Sequence, residues 1–262
     1  MDCQKNSLEL RNLRIGFMDY AKRETQAVKG LNLTLPKGKI VALVGESGCG
    51  KTVTSLAIMN LLKENATVSG EIYCNGKAIH KMSTKQRQSC NGRLFGMIFQ
   101  EPVGALDPLF IIKKQMMEGL RKHRNVSKTE GIEIICEGLQ NMNFQAPAEI
   151  LNKYPHELSG GMCQRVMIAS VLIQEVEYLI ADEPTTALDV TIQKQILIQL
   201  YKLSREKNIG ILFITHDLAA VAEIADYIYV MKDGELVEEG DVFEVFDKPK
   251  NEYTRHLIAG KI

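Results

Sequence analysis

The chain has 262 residues, enough for one large α/β domain or for one such domain carrying a smaller insertion. Its 32 basic residues balance 32 acidic ones, so no overall basic field draws it to nucleic acid or anionic lipid. The longest apolar stretches, such as residues 166–173 with the included Ser170, are far below the roughly 18 to 20 residues of a membrane helix, and no apolar segment follows the first residues as in a signal peptide. The expected compartment is therefore the cytoplasm, and the six cysteines, with no CxxC pair and no histidine at ligand spacing, read as reduced thiols.

Residues 8–17 and 31–35 alternate in a strand-like way, and Pro36-Lys37-Gly38 makes a turn into the next segment. Phe17 and Tyr20 lie where an aromatic could stack on a purine; a core Phe ending a strand and an exposed loop Tyr fit those residues equally well. The run Ile40, Val41, Ala42, Leu43, Val44 lacks alternating polar positions, as expected of a strand buried on both faces of a parallel sheet.

That strand breaks into Gly45-Glu46-Ser47-Gly48-Cys49-Gly50-Lys51-Thr52 and resumes with helical spacing, the pattern of a phosphate-binding loop. Gly45 and Gly50 frame a turn that lets backbone N–H groups converge on an anion, and the following helix presents its positive end to the same place. Lys51 adds a point charge for β- and γ-phosphates, and Thr52 a hydroxyl for Mg²⁺. Cys49, near Lys51 and a helix start, is expected to be a reactive thiol that bound nucleotide protects.

Residues 68–79 predict a hairpin turning at Asn75-Gly76, and a second apolar run, 94–99, ends at Gln100. Pro102 and Pro108 bracket a loop; from about 111 to 151 the texture is Met-, Lys- and Glu-rich with helical periodicity, which predicts a helical insertion. Ser159 then N-caps a helix that opens on Gly160 and Gly161, a costly start at about 1 kcal/mol per glycine against Ala. A close phosphate would justify it, although the stretch taken alone reads as an ordinary helix start with flexible glycines.

Residues 178–183 form another buried strand that ends in Asp182 and Glu183, and 210–215 a third that ends at His216. Strand C-termini are where ligands bind in open α/β sheets, so Asp182 can reach the Mg²⁺ at Thr52, Glu183 can act as base for water, and His216 can contact the γ-phosphate. A strand at 227–231, a turn at Asp233-Gly234, a returning strand at 235–237 and a short terminal helix complete the chain.

In this order the motifs resemble those of the ATP-binding subunits of ABC transporters across nearly the whole chain. Gly45 to Thr52 is similar to the Walker A motif, Gln100 to the Q-loop glutamine, residues 158–162 to the LSGG signature, 179–183 to Walker B with its catalytic glutamate, Ala187-Leu188-Asp189 to the D-loop and His216 to the switch histidine. The resemblance implies an α/β P-loop (RecA-like) core with an antiparallel β subdomain over residues 1–100 and 170–262, and a helical signature subdomain over 101–169. It also implies ATP and Mg²⁺, with Gln100 and Asp182 sharing the metal with Thr52, Glu183, His216 and Gln100 in catalysis, Ser159, Gly160, Gly161 and Asp189 at the nucleotide, and Phe17 most similar in position to the adenine-stacking aromatic.

Residues 164–169, 181–190 and 249–254 resemble the peptide and nickel importer branch. Larger peptide-importer members continue past Tyr253-Thr254 with a Cys- and Pro-bearing extension, and the shorter form is more similar to nickel or metal-chelate importers. The implied partners are a second, related but different ATP-binding chain, two membrane permease subunits and an extracellular solute-binding protein, with no nucleic acid. The implied place is the cytoplasmic face of the membrane, held peripherally. Two other readings compete. A soluble ABC-type ATPase of translation or repair would carry two ATPase domains or long coiled-coil insertions, and a P-loop kinase or GTPase would need an acceptor site or an Asn-Lys-x-Asp motif, of which Asn152-Lys153-Tyr154-Pro155 lacks the Asp.

Overall fold

The computed structural model describes residues 6–18, 24–186 and 188–260. In chain order the elements are β1 (Ser7–Met18), β2 (Glu24–Pro36), β3 (Ile40–Val44), α1 (Lys51–Met59), β4 (Ala66–Cys74), β5 (Lys77–Ala78), α2 (Thr84–Gln88) and β6 (Phe95–Ile98). Helices α3 (Pro102–Ala105), α4 (Ile112–His123), α5 (Lys128–Asn141), α6 (Pro147–Leu151) and α7 (Gly160–Leu172) follow. The last third holds β7 (Tyr178–Asp182), α8 (Val190–Glu206), β8 (Gly210–Ile214), α9 (Leu218–Ile224), β9 (Tyr227–Lys232), β10 (Glu235–Asp241), α10 (Val242–Asp247) and α11 (Glu252–Ile258).

Two sheets result. The order β10-β9-β3-β8-β7-β6 is parallel throughout except for the β9–β10 hairpin, and β2-β1-β4-β5 is antiparallel. The absence of polar alternation in β3 has a direct cause: Ile40, Ala42 and Val44 enter a core shared with the helices, while Val41 and Leu43 enter a second core shared with the antiparallel sheet and α1. Strands β7 and β8 divide in the same way, with Leu179, Ala181, Ile211 and Phe213 on the helical side and Tyr178, Ile180, Leu212 and Ile214 on the other.

Local chemistry sets the ends of these elements. Asn75-Gly76 and Asp233-Gly234 have φ values of 51°, 76°, 50° and 83°, the left-handed pairs of the tight hairpin turns expected from their sequence. Ser127 and Asp189 cap α5 and α8 by accepting from the N–H groups of Glu130 and Ile192. Between Pro102 and Pro108, where a loop is expected, Pro102 opens the short helix α3, because a proline at the first helical position loses no hydrogen bond. Among the described residues no helix is long and apolar enough to cross a membrane.

One polar hub fixes the N-terminal end of β3. The Asp226 carboxylate accepts from the Ile40 N–H at 2.9 Å, from Lys39 Nζ at 3.1 Å and from Arg205 Nη2 at 2.8 and 2.9 Å, joining β3, α8 and the start of β9. Tyr229 Oη accepts the Thr34 N–H at 3.1 Å and ties the two sheets together.

Candidate functional site

Strands β3, β8, β7 and β6 are neighbours and parallel, so their C-terminal ends form one edge. Along it lie, in spatial order, the loop 45–52, His216, the pair Asp182 and Glu183, and Gln100. At about 4.8 Å per strand the row spans roughly 14 Å. A cleft of about 730 Å³ opens over it, within the range of small-molecule sites, lined by that loop together with Gln100, Asp182, Glu183 and His216.

The loop takes its shape from glycine at two positions. Gly45 has φ +149°, and a Cβ there would stand 2.1 Å from the Met231 carbonyl oxygen of β9; Gly50, at φ +105°, is the N-cap of α1, and its Cβ would lie 2.6 Å from the Ala27 oxygen. Lys51 is 8% exposed and folds back, its Nζ donating to the carbonyls of Gly45 at 2.7 Å and Glu46 at 2.8 Å. The ammonium is thus held at the loop by two carbonyls that a phosphate can replace.

Asp182 is 1% exposed. Its Oδ2 accepts from Ser55 Oγ at 3.2 Å, whereas Oδ1 is buried with no hydrogen-bond partner. Burial pushes its pKa up, against the pull of the Thr52 and Ser55 hydroxyls and the Lys51 charge. A buried carboxylate oxygen with no partner, beside a threonine hydroxyl at a helix start, is the donor set a Mg²⁺ ion uses, so these residues fit the metal. Ser55, missed in the sequence, was traceable there: it sits one helical turn after Thr52 and shares its face.

Glu183 is 7% exposed and has φ +51°, a left-handed conformation that a non-glycine residue adopts at a cost of about 1–2 kcal/mol. Its N–H donates to the Ile214 carbonyl at 2.8 Å, which binds the turn to β8. Oε1 accepts from His216 Nδ1 at 2.7 Å and from the His216 N–H at 3.2 Å; Oε2 accepts from Thr186 Oγ1 at 3.0 Å and Thr215 Oγ1 at 3.3 Å. The carboxylate accepts only, so the short contact places a proton on Nδ1 and leaves Nε2 of the imidazole facing outward, on a side chain that is 69% exposed. Neither threonine carries a sequence signal of its own; both are selected by the turn at Glu183.

The remaining expected residues lie elsewhere. Ser159 caps α7 by accepting the Met162 N–H at 3.3 Å, and Gly160 is exposed, with nothing within 4 Å of where its Cβ would be. Neither these two, Gly161 nor Asp189 lines the cleft. Helix α7 is nevertheless wired to it, because Gln164, 1% exposed, donates from Nε2 to the Pro184 carbonyl just after Glu183. Phe17 is partly buried against the second core and does not line the cleft; Tyr20 and Ala187 lie outside the described residues.

Cys49 departs from expectation. Its side chain is buried at 5% exposure in the second core, and burial pushes the thiol pKa up despite Lys51 Nζ 3.7 Å away. Desolvation of the thiolate outweighs the favourable charge, so the thiol is a core side chain and only its backbone belongs to the loop.

A glycine loop at the start of a helix, a buried aspartate able to share a cation with it and a glutamate held beside it define a P-loop nucleoside triphosphatase. Comparison with known proteins narrows the class. A family model described as "ABC transporter" matches residues 28–186. Over 254 residues the chain is 45% identical to the oligopeptide transport ATP-binding protein OppD of Bacillus subtilis, covering 96% of this chain and 71% of that one. It is 43% identical to the glutathione import ATP-binding protein GsiA of Escherichia coli K12 over 97% of this chain, and spans only 42% of GsiA. Among solved structures, the ATP-binding cassette MJ0796, a dimer bound to ADP and Pi in a post-hydrolysis state, superposes with a TM-score of 0.81 at 28% identity, over 90% of this chain and 98% of that one. The chain cbiO1 of Clostridium perfringens, from the ABC transporter complex cbiONQ, gives 0.74 at 28% identity over 93% and 92%. The chain belongs to the ABC transporter family and is an ATP-binding, ATP-hydrolysing member of it.

Proposed function

We propose that this chain energises an importer of peptide-class solutes by hydrolysing ATP at a site shared between two ATP-binding subunits. The observation that carries this reading is the division of the motifs: the loop 45–52, Asp182, Glu183, His216 and Gln100 line one cleft, while exposed Ser159 and Gly160 with half-buried Gly161 form a helix start outside it, without a lysine or metal ligand. In this reading that helix start, which lies outside the chain's own cleft, completes a cleft on another subunit, where its N–H groups would meet the γ-phosphate. The cargo class follows the names of OppD and GsiA. The nickel or metal-chelate expectation rests on where the chain stops, which says nothing of cargo, so the peptide reading is the one proposed.

In this reading Thr52, Asp182 and Gln100 would hold Mg²⁺, which neutralises phosphate charge when bound. Lys51 leaves its two carbonyls for the phosphates. Glu183 accepts the proton of the attacking water, its carboxylate oriented by Thr186 and Thr215, and His216 directs Nε2 towards the γ-phosphate. Gln100 and the helical unit 101–169 pass opening and closing to two membrane permease subunits at the cytoplasmic face, with the partner ATP-binding subunit a related but different chain and a solute-binding protein outside. The divided site is tested by ATP turnover of the dilute chain. Activity should rise with the square of its concentration, or on adding a second ATP-binding subunit, and a specific activity independent of concentration sinks the proposal. Uptake of labelled peptide in cells lacking the chain tests the cargo.

A further inference from the structure

The cleft has a wall that none of the motifs supplies. Beyond the loop and the strand ends it is lined by Ala27 of β2 and by Leu257, Ile258 and Gly260 at the end of α11. The other end of the same helix reaches the phosphate loop: Tyr253 Oη accepts the Glu46 N–H at 3.0 Å. Tyr253 is 6% exposed, with Lys232 Nζ 4.8 Å from its ring centroid. Helix α11 is fastened in turn to β10, where the Glu238 carboxylate accepts from the N–H groups of Lys250 at 2.7 Å and Asn251 at 3.0 Å, and Asn251 Oδ1 caps the helix at the Tyr253 N–H.

A loop this rich in glycine is held by few contacts. Gly48 has open space around it, so the first half of the loop depends on the fit of Gly45 against Met231, on backbone bonds from the Cys49 N–H to the Glu46 carbonyl at 3.3 Å and from the Gly234 N–H to the Cys49 carbonyl at 3.2 Å, on the Lys51 bonds to two carbonyls and on the Tyr253 hydroxyl. The Lys51 bonds are given up once the ammonium turns to a phosphate. Tyr253 then remains the side chain that holds Glu46. We propose that Tyr253 is a positioning residue that preorganises the phosphate loop for nucleotide, and that the last turn of the same helix, through Leu257 and Ile258, packs against the uncharged part of the nucleotide, its base or sugar. Apolar side chains at that end of the cleft suit a base or sugar and would penalise a phosphate. Preorganisation lowers the ordering cost of binding and therefore acts on affinity rather than on the chemical step.

This inference rests on the cleft being the nucleotide site, and the experiment separates the two. Mg-ATP affinity is measured by titration calorimetry on the full chain for wild type, Tyr253→Phe and Lys51→Ala. Tyr253→Phe keeps the ring and removes one neutral hydrogen bond to the loop, so the dissociation constant should rise about three- to tenfold. In turnover assays KM should rise with kcat at saturating Mg-ATP unchanged. Unchanged affinity in Tyr253→Phe, with or without a lower melting temperature, overturns the positioning role. Unchanged affinity in Lys51→Ala overturns the site reading itself. The chain has no tryptophan, so Ile258→Trp gives a unique emission signal. That emission should change on adding Mg-ATP and saturate with the calorimetric constant, and emission blind to Mg-ATP overturns the wall role. Should Ile258→Trp not fold, Leu257→Trp on the same wall gives the same readout, and emission blind to Mg-ATP there overturns the wall role.

Discussion

Replacing Glu183 with Gln removes the proton acceptor and keeps the side-chain shape. An amide oxygen in place of Oε1 can still accept from His216 Nδ1 and from the His216 N–H, now at 2.7 and 3.2 Å, and an amide nitrogen in place of Oε2 can donate to the Thr186 and Thr215 hydroxyls, which rotate to accept. All four contacts persist in neutral form. Exchanging four charge-assisted for neutral bonds costs up to about 1 kcal/mol each, so the fold should lose at most about 4 kcal/mol, below the usual 5–15 kcal/mol of domain stability. The missing base acts on the rate: turnover should fall about 10²- to 10⁴-fold, or roughly 3–5 kcal/mol of barrier. The assay is phosphate release at saturating Mg-ATP, beside calorimetric binding and a melting curve on the same preparation. Turnover within a few-fold of wild type would refute Glu183 as the base. Loss of ATP binding alongside turnover would refute the claim that its surroundings accept the amide.

The Asp226 hub predicts a pH effect of definite sign. Burial works to raise the Asp226 pKa, but Arg205, the Ile40 N–H and Lys39 hold it below its ordinary value. Its stabilisation is therefore complete above the unfolded carboxylate pKa of about 3.9 and disappears as pH falls through the lower folded value. Asp226→Asn should cost about 1–2 kcal/mol near neutral pH, allowing for the partial exposure of the pair, and should flatten the loss of stability below about pH 4; equal acid sensitivity in denaturant melts would count against it. Gly45→Ala must push its Cβ into the Met231 carbonyl and should cost about 2–5 kcal/mol with loss of ATP binding, whereas Gly48→Ala, strained but unobstructed, should cost about 1–2 kcal/mol; equal melting temperatures would contradict the argument. Cys49, buried in the second core, should stay unlabelled by maleimide in the folded chain with or without Mg-ATP, and rapid labelling seen by peptide mapping would reverse that placement.

The sequence by itself determined the elements whose physics is local. The five apolar residues Ile40–Val44, three of them β-branched and flanked by Gly38 and Gly45, favour a strand covered on both faces, Asn75-Gly76 and Asp233-Gly234 can turn a hairpin without strain, and Ser159 caps the helix it precedes. The spacing of glycines, Lys51 and Thr52 carries its phosphate chemistry within eight residues, which is why the site's centre was legible without coordinates. Helix α8 is equally local, with Asp189 as cap and Ile196, Leu200 and Leu203 on one buried face. What only the tertiary structure decided are the relations between segments distant in the chain. Sheet order sets His216 between the loop and Glu183, because β8 pairs with both β3 and β7. The same fold turns the Cys49 thiol into the core, leaves the Ser159 helix start outside the cleft, and brings Tyr253 across about 200 residues to the loop. Each depends on which surfaces are desolvated together, and no local pattern encodes that, because the energy that selects it resides in the packed core and not in any one segment.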